Sequence, residues 1–195
     1  MTFVGVFDTV GALGIPFPKL KFLERGKYEF YNCKVCSNIK VARHALAIDE
    51  KRNDFKPTFW LGNKKTDLKQ VWFSGVHRNV GGQYPADEDQ SIISDIPLKW
   101  MLDEVSKLPN GDALTFENHI FERLTNNPLA KLHKSRVCVY YLRKKYNRPI
   151  NHGTSKTLIH ESVKMRWNKD ESYRPIQLKK FLEENNFNWD KFMVK

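Results

Sequence analysis

Residues 2–8 read TFVGVFD, an apolar, aromatic and β-branched run that closes on an aspartate and leads into TVGALG at residues 9–14. A strand covered on both faces, as in a parallel sheet, reads as continuous apolar sequence rather than as an alternation of polar and apolar positions. The run predicts a buried parallel strand that delivers Asp8 to a loop at its C-terminal end. It also implies a chain that begins inside a sheet, since almost nothing precedes Thr2 to lead into a core strand.

A second run of the same kind, QVWFSGV at 70–76, delivers His77, and Gly81 and Gly82 follow where the backbone must turn tightly. SIISDIPLKWMLDEVSKL (91–108) then reads as a helix, with Ser94 as N-cap, Pro97 in the first turn and Leu98, Met101, Leu102 and Val105 along one face. Between the two strands, residues 16–32 read as a loop or lid-like insertion. Residues 35–52 (VCSNIKVARHALAIDEKR) read as an amphipathic helix with Val35, Ile39, Ala42 and Leu46 on its apolar side, and 54–69 as a break or short strand. Further along, 116–124 reads as a helix, RVCVYYL (136–142) as a strand, 157–167 as a helix, and 173–192 as a proline-marked break and a polar helix. No internal repeat, low-complexity tract or Gly/Ser/Pro-rich linker divides the chain.

The chain has 195 residues, 41% of them apolar and 13% aromatic, which suffices for one hydrophobic core and is short for two domains. The expectation is a single partial domain over 1–195, with a part bearing the aspartate and histidine at 1–108 and a helical and irregular region at 109–195. Lys and Arg outnumber Asp and Glu by 33 to 22, a net charge of +11 that favours polyanions or anionic membrane surfaces. The basic residues are scattered through 20–30, 63–69 and 141–148 without a long block or a basic-aromatic platform, so nucleic acid is not the expected partner. No apolar segment approaches the ~18 residues that cross a bilayer, and no signal sequence opens the chain. A soluble, cytoplasmic protein is expected, with signal-less secretion left open. Of the three cysteines, Cys33 and Cys36 form one C-x-x-C, which Cys138 cannot complete to the four ligands of a zinc site; reduced cysteines are the expectation, a redox or metal pair the alternative.

An aspartate and a histidine at the ends of two strands are the supporting members of a nucleophile-histidine-acid triad. Imidazole takes the nucleophile's proton near neutral pH, and a carboxylate on its other nitrogen fixes the tautomer and stabilises the imidazolium. In the α/β-hydrolase fold the chain order is nucleophile, acid, histidine, and Asp8 followed by His77 obeys it.

Six stretches, FVGVFDTVGALG, HALAIDEKRNDFKPTFW, QVWFSGVHRNVGGQY, SDIPLKWML, IHESVKMR and YRPIQL, follow one another from residue 3 to residue 178. They are similar to successive motifs of the uncharacterised α/β-hydrolase domain family related to type VI secretion phospholipase effectors. The resemblance implies an α/β fold, here the C-terminal part of an α/β-hydrolase-like, mostly parallel sheet flanked by helices. It implies Asp8 as triad acid and His77 as triad base, no cofactor, and a lipid or other ester as substrate. One departure lies after the histidine, where the family pattern reads Ser-Asp-Val-Gly-Gly-Gly and this chain places Arg78, Asn79 and Gln83 at the first, second and last positions.

The larger departure is that no G-x-S-x-G occurs: Ser74 sits in FSG ahead of the histidine, and Ser155 in GTSKT has no glycine at the required place. The reading is therefore the C-terminal portion of a hydrolase, inactive alone, with the nucleophile on a separately encoded or lost N-terminal half; removing a triad nucleophile costs about a million-fold in a serine protease. Two further readings stand beside it. One is a degenerate remnant without chemistry; the other is a metal-binding hydrolase using Asp8, His44, His77 and Asp49. His44 and the Asp49-Glu50 pair are expected on the surface of a helix, and His160 in a structural role. Trp60, Trp72, Trp100 and Trp167 are expected in the core, and His119, His133 and His152 carry no pattern.

Overall fold

The computed structural model describes residues 2–10, 35–108, 114–142 and 144–195. The first run forms β1 (Phe3–Phe7), which pairs with β2 (Val41–Ala47); β3 (Asp67–Phe73), β4 (Leu158–His160) and β5 (Met193–Val194) follow in that order across the sheet. All neighbouring strands run parallel, with Val6 beside His44, His44 beside Gln70, and Trp72 beside Ile159. Helices α1 (His77–Val80), α2 (Asp95–Ser106) and α3 (Asn118–Arg123) lie between β3 and β4, and α4 (Glu161–Lys169) and α5 (Ile176–Glu184) between β4 and β5. A five-stranded parallel sheet flanked by helices is an α/β fold. The expected lid at 16–32 and Cys33 lie outside the described residues.

Period-2 geometry sorts the central strands onto two faces. Leu46, Ile48, Trp72 and Ile159 pack against Val163 and Trp167 of α4 and Leu178, Phe181 and Leu182 of α5. Ala45, Ala47, Val71 and Phe73 pack on the other side against Val80 of α1 and Ile96, Trp100 and Met101 of α2. Trp72, Trp100 and Trp167 are thus core residues, while Trp60 is half-buried.

Several expectations need correction. Residues 41–47 are not an amphipathic helix but β2, buried at every position. Its polar members have partners on both faces: Arg43 pairs with Glu104 of α2 and with Asp67, and His44 bonds to Gln70 and Thr9. Residues 136–142 are not a strand; Cys138–Leu142 is a 3-10 turn. Residues 157–167 split into β4 and the start of α4, so the C-terminal region contributes two strands to the sheet. Helix α2 stands where expected, but its buried stripe runs through Ile96, Trp100, Met101 and Val105 and leaves Leu98 exposed. Ser94 precedes it in an αR conformation and makes no side-chain cap.

Candidate active site

Strands β1 and β3 flank β2, and their C-terminal ends are brought together over its last residues. Asp8 is the residue after β1. Its amide donates to the Ala45 carbonyl at 2.7 Å, finishing the ladder with β2, and its φ of 46° turns the side chain back over the end of that strand. An aspartate tolerates this left-handed region better than most residues, and such conformations concentrate where a side chain must be aimed. Oδ1 accepts the Ala47 N–H at 2.9 Å.

From the other side, Ser74, Gly75 and Val76 lead β3 into α1, whose first residue is His77. Gly75 adopts a φ of 122°, and a Cβ there would lie 2.7 Å from the Asn79 Cβ, so this turn requires glycine. Asp49 clips the turn down: its Oδ2 accepts the Gly75 N–H at 2.7 Å and the Tyr173 hydroxyl at 3.1 Å. Burial pushes the Asp49 carboxyl up to about 6 against those two donors. Glu50, fully buried, accepts the His77 N–H at 3.2 Å and pairs with Arg52 at 2.8 Å. The Asp49-Glu50 pair is therefore not a helix surface but the floor of the histidine turn.

His77 Nδ1 lies 2.7 Å from Asp8 Oδ2. The ionised carboxylate only accepts, so Nδ1 carries the hydrogen and the neutral ring presents the Nε2 lone pair. The side chain of His77 is 22% exposed, and the edge of Phe55 stands against its ring at 5.1 Å between centroids.

A residue that the sequence did not single out completes the geometry. Arg148, wholly buried, grips Asp8 with both terminal nitrogens, Nη1 to Oδ1 at 2.5 Å and Nη2 to Oδ2 at 3.0 Å. The same nitrogens donate to the carbonyls of Ala47 and Phe55. Burial alone would raise the Asp8 carboxyl, but the Arg148 charge, the His77 and Arg148 hydrogen bonds and the His77 charge outweigh it and hold the group well below the usual carboxylate range. Asp8 is a fixed anion throughout the neutral range, which is what an imidazole needs beside it to accumulate positive charge. Arg148 sits among nine cations between 123 and 156 with no motif to mark it.

His44 is buried beside this pair rather than exposed on a helix. Its Nε2 accepts the Thr9 N–H at 3.2 Å, its Nδ1 faces Gln70 Oε1 at 3.4 Å, and burial pushes its pKa down to about 4. It holds the loop that follows Asp8. The residues of the metal reading are thus not gathered on one point: Asp8 is shared by Arg148 and His77, His44 faces Thr9 and Gln70, and Asp49 faces Gly75 and Tyr173. Among the described residues no group of three or more His, Cys, Asp and Glu is placed to hold a metal ion. Cys36 is exposed and in no disulfide.

Of the positions that depart from the family pattern, Arg78 and Gln83 bond to each other, and Asn79 ties the turn to Val76 and His133. Asn79 Oδ1 accepts the N–H groups of Val76 and His133, and its amide nitrogen lies 3.2 Å from His133 Nδ1. The His133 ring stacks on Tyr84 at 3.5 Å, the Arg78 guanidinium lies over Tyr84, and Arg78 Nε donates to Gln83 Oε1 at 3.1 Å. Of the two glycines after the histidine, Gly82 takes the left-handed turn, with φ 74°, and Gly81 does not. His160 is structural: its Nδ1 accepts the Ser162 N–H and caps α4, and its ring stacks on Phe73. His152 stacks on Phe59. Ser74 is buried, and Ser155 accepts from Gln70 Nε2 at 3.0 Å.

The fold and this corner define an α/β protein with an aspartate-histidine pair at the C-terminal ends of parallel strands, where open α/β sheets bind their ligands. The family described as the type VI secretion system (T6SS) phospholipase effector Tle1-like catalytic domain matches residues 1–104, the part that carries both side chains. The match covers more than half of the chain, and the chain belongs to that family. The last two of the six motifs, at 159–166 and 173–178, lie beyond the matched residues. No curated protein and no solved structure matches the chain. Among the described residues no helix is long and apolar enough to cross a membrane.

Proposed function

We infer that Asp8 and His77 are the acid and base of a serine-type ester hydrolase that acts on phospholipids or related lipid esters. The nucleophile comes from a polypeptide segment outside residues 1–195, since no G-x-S-x-G lies within them. The observation that carries the reading is the 2.7 Å contact between His77 Nδ1 and Asp8 Oδ2, which leaves Nε2 as the base. In this scheme Nε2 takes the serine proton during attack on the ester carbonyl and returns it to the leaving alcohol, and Asp8, kept anionic by Arg148, stabilises the imidazolium between the two steps. In this reading residues 1–195 act as a single partial domain, in the cytoplasm.

The test pairs the chain with a segment bearing a strand and a G-x-S-x-G turn, sought first in the coding sequence upstream of Met1, and follows labelling by a fluorophosphonate and hydrolysis of a phosphatidylcholine. The chain alone should not label. The pair should label and turn over, and His77→Ala should lower kcat by about 10⁴-fold or more. Turnover indifferent to His77→Ala would sink the reading. The runner-up, a binding remnant without chemistry, is favoured by the missing G-x-S-x-G and predicts that no such pairing yields His77-dependent turnover.

A further inference from the structure

Between Glu122 and Glu161 the chain contains nine Lys and Arg residues and no Asp or Glu, so most of the +11 charge is concentrated in one stretch rather than scattered. Arg148 is committed to Asp8, and Arg136 donates to the carbonyls of Tyr140 and Tyr141. Lys134, Lys144 and Lys145 are exposed.

Within the same stretch the 3-10 turn Cys138–Leu142 and its approach point apolar side chains at solvent: Leu142 is 91% exposed, Tyr141 72% and Val137 53%. Single exposed apolar residues are ordinary, but three within six positions and rimmed by cations form a patch. The strap is fastened to the wall of the histidine site. Lys51 N donates to Ser135 Oγ and Tyr146 N to the Lys51 carbonyl, both at 3.0 Å. Tyr140 stands edge-on to Phe55 at 6.3 Å, and Phe55 in turn to His77. The Arg52 guanidinium covers both aromatic rings, at 3.5 Å from Phe55 and 5.2 Å from Tyr140.

We propose that Lys134, Val137, Tyr141, Leu142, Lys144 and Lys145 form a docking surface for an anionic lipid bilayer, with Val137, Tyr141 and Leu142 entering the interfacial layer and the three lysines facing lipid phosphates. Aliphatic tips gain nothing from a nucleic-acid backbone but gain free energy on leaving water for acyl chains, and tyrosine suits the headgroup boundary. Anionic headgroups supply the charge complement, and docking there turns the Phe55 and His77 side of the molecule toward the bilayer. The inference deepens the ester-hydrolase reading by naming the surface on which its substrate is met, and its binding readout is independent of turnover.

The experiment is cosedimentation of the full chain with vesicles of phosphatidylcholine alone and of phosphatidylcholine with about one part in three phosphatidylglycerol, at low and high salt. Binding is expected to the anionic vesicles, weakening with salt. The triple variant Lys134→Ser, Lys144→Ser, Lys145→Ser should lower the partition by roughly 100-fold, about 5-fold per cation. Tyr141→Ser with Leu142→Ser should lower it by about 10-fold or more, with an unchanged unfolding midpoint because both side chains are exposed. Equal binding to neutral and anionic vesicles, variants that bind as tightly as the parent, or tighter binding to duplex DNA at the same phosphate concentration would each overturn the proposal.

Discussion

Asp8 is a charge taken wholly out of water, and what keeps it charged is Arg148, equally buried, across two hydrogen bonds. A buried pair of this kind contributes less than its Coulomb energy, because both ions were desolvated to make it, but breaking it strands one charge. Arg148→Met should therefore destabilise the fold by about 3–5 kcal/mol, measured by urea unfolding, while Asp8→Asn combined with Arg148→Met should cost clearly less than the two single changes summed. Additive losses would mean that the pair is not coupled. Both Asp8 and His77 were legible because each closes an apolar run, and the order of the runs matched a known chemistry. Arg148 was not: an arginine in a polar stretch reads as surface, and only the packing of a distant loop against the end of β2 reveals its burial. His44 misled for a related reason, since a histidine beside an arginine looks solvated until both prove to be satisfied inside a sheet.

At the level of elements, the loop that presents His77 is held by α1, a helix of four residues that cannot be stable by itself and depends on side-chain bonds. Asn79 supplies both kinds: its oxygen accepts two backbone N–H groups, and its amide nitrogen faces His133 Nδ1. An aspartate could do the first, and could do the second by taking a hydrogen from His133 Nδ1; an apolar residue could do neither. Asn79→Ala should cost about 1–3 kcal/mol by leaving the Val76 and His133 N–H groups without their acceptor, and the loss should show in the thermal midpoint. An unchanged midpoint would mean that the Asn79 bonds contribute nothing to the turn. At the start of α2 the expectation is the reverse. Ser94 has the sequence signature of an N-cap but makes no cap bond, so Ser94→Ala should change stability by less than about 0.5 kcal/mol instead of the usual ~1. The strands β1 and β3 and helix α2 were readable from their apolar patterns, although β1 is a half-buried edge strand with Gly5 exposed and not the strand covered on both faces that its sequence suggested. β2 was not readable, since a strand buried on both faces has no period-2 signal, and its Ala42 and Leu46 also fit a helical spacing with Val35 and Ile39 ahead of it. RVCVYYL erred the other way, because Val137 and Tyr141, of types that favour strands, here face solvent beside and on a 3-10 turn.

The whole molecule carries an acid response that follows from its buried titratable groups. His44, His152 and His160 each have a pKa pushed down to about 4 by burial, against an unfolded value of 6.5. The folded chain keeps them neutral while the unfolded chain takes up their protons, so each contribution is full above about pH 6.5 and is lost progressively as the pH falls toward 4. Asp49 runs the other way: burial raises it from 3.8 to about 6, so in the same window the folded state binds the proton and gains. Three histidines opposed by one carboxyl leave the unfolded state holding about two more protons, and stability should fall with pH at up to about 2.7 kcal/mol per unit near pH 5. Asp8, whose carboxyl is held below its ordinary range, adds its own loss only below about pH 4. Urea unfolding midpoints between pH 7 and about 4.5 measure the slope, and His160→Gln, whose amide oxygen can still accept from the Ser162 N–H, should reduce it by about one proton. A midpoint that stayed flat or rose as the pH dropped would mean that these histidines are not held neutral in the fold. The same curve bears on chemistry, because the bond from His44 Nε2 to the Thr9 N–H requires an unprotonated ring. Acid that charges His44 withdraws support from the loop that aims Asp8 at His77, so the geometry of the pair and the stability of the sheet should fail together.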